Sequence, residues 1–272
     1  MASQARFLLQ FLDAAAGSSS RDLQEDFTPE DVDLSEAGWS TDFACAVLAL
    51  CFVVTSFASY DRDKSFHFMY MHLGTFIAHL FGGFAHAWFP NRASDGVGQV
   101  GFYVTIGIGY LGNCMRYGWG WGLPTCWKVF AAMNMVWLTV AAVFAIVNME
   151  RTTERLDDAE SDPDDPFKPD TFFGFGELFC AIMEILASIY YVARVDRTFY
   201  AWMASLSNLA GWVSVYAVGL YAAGTGFEYD TRITQLIFHY AMIVFLWAIN
   251  ELALRKCKDD DENTPKSSSR KQ

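Results

Sequence analysis

The sequence predicts an all-α, polytopic membrane protein: a bundle of seven transmembrane helices with its N-terminus outside or lumenal and its C-terminus cytoplasmic. Three observations carry this reading. Of 272 residues, 53% are hydrophobic and 17% aromatic. Only 18% are charged, against about 25% for ordinary soluble domains. The charges also crowd into the N-terminal tail, one central loop and the C-terminal tail, leaving long apolar stretches almost bare. That distribution excludes a disordered chain and argues against a soluble globule.

A helix crosses the hydrocarbon with roughly 20 mostly apolar residues, and backbone groups without water must satisfy one another inside it. Seven segments meet that rule. The first runs from Phe43 to Tyr60 and is closed by the charged turn Asp61–Lys64. The second, Phe66 to Phe89, stops at Pro90-Asn91-Arg92. The third, Val97 to Met115, is rich in glycine and ends at Arg116. Tyr117 to Pro124 reads as an interfacial turn, because Trp and Tyr favour the headgroup level and Gly with Pro breaks helices. The fourth span is Cys126 to Asn148, the fifth Phe172 to Ala193, the sixth Thr198 to Ala223 and the seventh Ile233 to Leu254.

The domain plan follows. Residues 1–41 form an acidic N-terminal segment expected to be flexible, and residues 42–254 the transmembrane domain. That domain carries an acidic loop at 149–171, and residues 255–272 form a cytoplasmic tail. Between Glu150 and Asp170 the loop holds nine acidic residues. With the N-terminus outside, the inner loops and tail hold twelve Lys and Arg against seven on the outer side, in line with the positive-inside bias. Met1 to Gly17 is similar to a short signal-peptide core, but Gln10 and Asp13 interrupt it, and an amphipathic or disordered segment fits better. An integral membrane location is expected, with plasma membrane and endomembrane equally compatible, and with the lipid bilayer as the principal partner. An oligomer is compatible with the sequence.

The net charge of −12 comes with no basic cluster outside the last 18 residues, so nucleic acid is excluded as a partner. The six cysteines contain no CxxC pair, which argues for buried inert thiols over a disulfide framework or zinc ribbon. Cys257, between Lys256 and Lys258 beside the last span, reads equally as a palmitoylation site or an unmodified interfacial thiol.

Ionisable groups inside spans are costly and mark candidate sites. His72, His79 and His86 stand seven residues apart on the second span. At 3.6 residues per turn that spacing drifts only about 20° per step, so the imidazoles form a line on one face. His67 lies at the inner end of the same segment, and His239 on the seventh. Glu177 and Glu184 share a face of the fifth span, while Asn113, Ser205, Ser207, Asn208, Asn250 and Glu251 add polar groups elsewhere. Turned inward together, these would build a wet, titratable interior. The alternative is that they serve only as inter-helix hydrogen bonds. Gly74, Gly82, Gly83, Gly101, Gly107, Gly109 and Gly112 read as close-packing positions, or as a hinge lining a site.

Covalent retinal needs a lysine within the last span, and none is present. Voltage sensing needs an arginine ladder within a span, also absent. Haem between helices needs an imidazole from each side, and only His239 could partner His72 or His86. A membrane-embedded zinc hydrolase would need three ligands and an open position, which His72, His79, Glu184 and His239 could supply. No resident cofactor is predicted, with zinc and haem as the alternatives. The preferred expectation is a proton- or ion-linked transporter or channel for a small ion or polar solute, lined by His72, His79, His86, Glu177, Glu184 and His239. A metal-dependent hydrolase, and a receptor or accessory protein without a pathway, are the other two readings.

Overall fold

A computed structural model of the chain describes residues 35–89, 96–148, 169–225 and 231–263. The described residues are entirely helical apart from short turns, and form seven helices. These are α1 (Ser35–Ser59), α2 (Phe68–Trp88), α3 (Gly96–Met115), α4 (Thr125–Val147), α5 (Pro169–Arg194), α6 (Phe199–Thr225) and α7 (Thr231–Asn263). Each helix packs on its neighbour in the sequence, and α1 also packs on α7, which closes the ring. Additional contacts of α2 with α7 and of α3 with α5 fill the centre.

Among the described residues, four helices contain stretches long and apolar enough to cross a membrane: Trp39–Ser59, Thr125–Val147, Phe172–Arg194 and Thr234–Lys258. Their outward faces are apolar. On α4 alone, Met133, Val136, Val140, Val143 and Val147 are more than half exposed. A continuous apolar belt of this kind is unfavourable in water and favourable in lipid. The other three helices carry more polar residues. On α2 these are histidines, which lower its apolarity while pointing into the bundle.

Two helices run well past the apolar runs that announced them. α1 begins at Ser35, several residues ahead of Phe43, and α7 continues through Asn263 into the segment expected to be tail. The acidic loop is described only from Pro169, and the N-terminal segment before Ser35 lies outside the described residues together with its signal-like stretch. At the end of α3 the chain continues as a π-helical turn, Arg116–Gly120. The residue Gly122 then adopts φ +62°, which reverses the chain toward Pro124 and α4. That left-handed conformation favours glycine, and the His67 ring sits against its Cα, so an added Cβ would meet His67 Cδ2 at 3.0 Å.

The α2–α3 crossing rests on Gly74 and Gly112. A Cβ on either one would run into the other's carbonyl oxygen, and one on Gly74 would also lie 2.8 Å from Arg116 Cγ. Small residues are what allow two backbones to approach this closely. Gly74→Leu or Gly112→Leu is expected to destabilise the bundle by about 1–3 kcal/mol, seen as a lower melting temperature in detergent. By contrast Gly174, around which nothing lies within 4 Å, should accept alanine with little change.

Candidate functional site

Among the described residues, three groups that contain ionisable side chains stand out inside the bundle. The first is built on Asp42, in the second turn of α1, whose residue is only 3% exposed. Its carboxylate is met by three imidazoles from two other helices. His79 Nδ1 lies 2.8 Å from Oδ1, His239 Nε2 lies 2.9 Å from the same oxygen, and His86 Nδ1 lies 2.8 Å from Oδ2. His79 and His86 reach one carboxylate because they share a face of α2, two turns or about 10 Å apart. Gly82, between them, lies beneath the carboxylate, where an added Cβ would sit 3.4 Å from Oδ1.

A carboxylate only accepts, so each facing ring nitrogen carries a hydrogen. On its other side His239 Nδ1 lies 2.6 Å from the Thr41 hydroxyl. Cys45 Sγ points at the His239 carbonyl at 3.5 Å. The rings of His79 and His239 stand edge to face, 5.3 Å between centroids, and Phe238 closes the side of both. His79 Nε2 is buried without a hydrogen-bond partner. His86 is the more open member, its side chain 28% exposed.

The second group centres on Arg116, the first residue of the π-helical turn and completely buried. The guanidinium Nη2 lies 3.3 Å from Glu184 Oε2 on α5 and donates to Asn208 Oδ1 on α6 at 2.9 Å. Nη1 faces Asn113 Oδ1 at 3.4 Å and Met242 Sδ at 3.5 Å. The guanidinium stacks over Phe245 at 4.7 Å, and Asn208 Nδ2 donates to the Glu184 carbonyl at 3.1 Å. One arginine thus joins α3, α5, α6 and α7. π-helical turns recur at functional sites because they re-aim a side chain within a helix.

The third group lies toward the other end of α2. Tyr60, just past α1, donates its hydroxyl hydrogen to Asn250 Oδ1 at 2.8 Å and accepts from His72 Nε2 at 3.0 Å. His72 and Tyr60 are buried, and His72 Nδ1 has no hydrogen-bond partner.

The structure therefore brings His79, His86 and His239 together, but around Asp42. His72 is bonded separately to Tyr60, and Glu184 is paired with Arg116. The set His72, His79, Glu184 and His239 is consequently not gathered at one point, whereas one ligand atom each from Asp42, His79 and His239 lie within 4.8 Å of one another. Glu177 is half-buried on α5, in the electrostatic neighbourhood of Tyr110, whose hydroxyl is 3.0 Å from that of Tyr216. His67 packs at the Gly122 turn, away from the line. Cys257 Sγ lies 3.0 Å from Ser65 Oγ and 3.3 Å from the Asp61 amide nitrogen.

Sequence reasoning missed Asp42, Arg116 and Tyr60. Asp42 directly precedes the first apolar run and Arg116 directly follows the third, so both look like span boundaries. For Asp42 the local hint was the aromatic pair Trp39 and Phe43 at helical spacing around it, whose rings meet at 6.0 Å in α1. No protein-family model, curated protein or solved structure matches the chain.

Removing one partner of a buried ion pair leaves an uncompensated charge and costs about 3–5 kcal/mol, whereas replacing both by apolar groups is often neutral. Arg116→Met should therefore lower stability by about that amount. The double variant Arg116→Met/Glu184→Leu should recover most of the loss, as measured by unfolding in detergent micelles. If the double variant is as unstable as the sum of the single ones, the pair is not energetically coupled.

Proposed function

We propose that this protein is a multi-pass membrane protein that moves a proton or small cation through the polar interior of a seven-span bundle. The observation that carries the reading is the Asp42 carboxylate held by His79, His86 and His239 in the interior. Three features support it. The buried groups follow one another along α2: His86 and His79 on Asp42, then Gly74 against Arg116, then His72 on Tyr60. They do so again along α7, from His239 past Met242 and Phe245 at Arg116 to Asn250. From His86 to His72 the axial distance is about 21 Å at 1.5 Å per residue, a large part of the roughly 30 Å hydrocarbon thickness. Intramembrane ionisable residues mark ion pathways and proton relays.

The orientation that goes with this reading is N-outside, following the distribution of Lys and Arg. It places the Asp42 cluster near the outer face and the Tyr60–His72–Asn250 group near the inner one, with Arg116 and Glu184 between them.

Reconstituted into proteoliposomes and exposed to a pH step or a cation gradient, the wild-type chain should give flux above empty vesicles. Asp42→Asn and His72→Phe should each reduce it at least ten-fold while the protein stays folded. Flux that both variants leave unchanged, or no flux from the wild type in either gradient, would remove this reading.

A further inference from the structure

We infer that Asp42, His79 and His239 form a binding site for a first-row divalent transition metal ion of the zinc type, with His86 holding the carboxylate in place. This names the cation of the transport reading above, although the binding itself does not depend on transport.

The first argument is the donor set. Two imidazoles and a carboxylate suit zinc and its neighbours, while calcium and magnesium require oxygen-only surroundings. Geometry gives the second. Zinc bonds its nitrogen and oxygen ligands at about 2.0–2.2 Å, usually in a tetrahedron, so ligand atoms sit about 3.3 Å apart. In the Asp42 cluster the nitrogen–oxygen separations are 2.8 and 2.9 Å, and all three ligand atoms lie within 4.8 Å of one another. An opening of about half an ångström along the two nitrogen–oxygen edges would bring them to the spacing the ion needs. The three residues come from α1, α2 and α7 and are all buried, so solvent does not compete for the position.

The surroundings of His239 match what a metal-binding histidine needs. A ligand histidine usually has its other ring nitrogen hydrogen-bonded, which fixes its orientation. His239 has that partner in Thr41 Oγ1, 2.6 Å from Nδ1. Binding requires each histidine to turn a lone pair toward the ion, so its hydrogen moves to the other ring nitrogen. For His239 that hydrogen then points at Thr41, whose hydroxyl accepts as readily as it donates. For His79 it moves to Nε2, which has no partner, so the metal–nitrogen bond has to offset a buried unmet donor. Starting from neutral imidazoles, no proton is lost in either exchange, and the ion takes the place of two N–H groups around the carboxylate.

His86 binds the opposite carboxylate oxygen, Oδ2, and leaves Oδ1 to the ion. It is also the most exposed member of the cluster. Three protein ligands leave a fourth position open, as in sites whose metal exchanges with an incoming group.

The test uses the full-length protein in detergent, stripped with a chelator and titrated with cobalt(II) and then with zinc. We expect one metal per chain, the visible absorption bands of tetrahedral cobalt, and displacement by zinc but not by calcium or magnesium. Asp42→Asn, His79→Gln and His239→Gln should weaken binding at least a hundred-fold. His86→Gln should weaken it roughly ten- to a hundred-fold, and His72→Gln should leave it unchanged. A folded wild type with no cobalt bands overturns the proposal without reference to any variant. So do bands accompanied by intense thiolate charge transfer, which would place the ion on the cysteines, and binding that survives in all three ligand variants. Metal binding without flux in proteoliposomes keeps this site and removes the transport reading. Proton flux from a chain that binds no metal does the reverse.

Discussion

A carboxylate sealed from solvent has to be met by donors, and the position of Asp42 follows from that requirement. Moving an unpaired carboxylate out of water costs several kcal/mol even after relaxation. Here the cost is offset by hydrogen bonds from His79, His86 and His239, each at 2.8–2.9 Å, the charge-assisted kind that is stronger than a neutral pair. The bonds also fix geometry. Two donors separated by two turns of α2 set the height of α1, and the third donor on α7 sets its rotation. Since α1 is the element that packs on both α2 and α7, one carboxylate determines how the ring closes.

The Arg116 group does for the far side of the bundle what Asp42 does for the near side. Its guanidinium touches residues of α3, α5, α6 and α7. The π-helical turn that presents it depends on small residues: Gly120 lies against Met71 and Gly118 against Ala131. Close approach of Gly74 and Gly112 then brings α2 against the arginine stem. Six of the seven helices take part in the polar groups through side chains on them or in the turns that follow. α4 does not, and its contribution is an apolar wall with Val136, Val140 and Val147 facing outward. A ring built this way keeps polar chemistry inside and apolar surface outside, the reverse of a water-soluble bundle.

Much of the fold was legible because apolar runs end where charges and prolines begin. α2 was expected over Phe66 to Phe89 and spans Phe68–Trp88, and α4 was expected over Cys126 to Asn148 and spans Thr125–Val147. The same rule undershoots where a helix leaves the hydrocarbon without ending. α1 and α7 both continue into polar sequence, since hydropathy reports a crossing and not a backbone conformation. The histidine line of α2 was readable from its spacing of seven. Its partner was not, because the rotation of α1 is set by tertiary contacts and no local pattern records it. For the same reason Glu184 could be recognised as a buried carboxylate while Arg116 was taken for the end of a span.

The buried polar atoms left without hydrogen bonds bear on why such an interior exists at all. Stability does not explain it, since interhelical hydrogen bonds in membranes average about 0.6 kcal/mol and a buried ion pair is often no better than an apolar replacement. An unmet buried polar atom costs about 1–3 kcal/mol. Among the described residues, four of the buried atoms with neither a hydrogen bond nor an ion pair lie on side chains of the three polar groups: His72 Nδ1, His79 Nε2, Arg116 Nε and Glu184 Oε1. Packing alone would have removed such atoms first, because each could be replaced by carbon at a gain. Their concentration around the Asp42, Arg116 and Tyr60 groups marks these groups, and not the apolar packing, as the place where the interior departs from what stability alone favours.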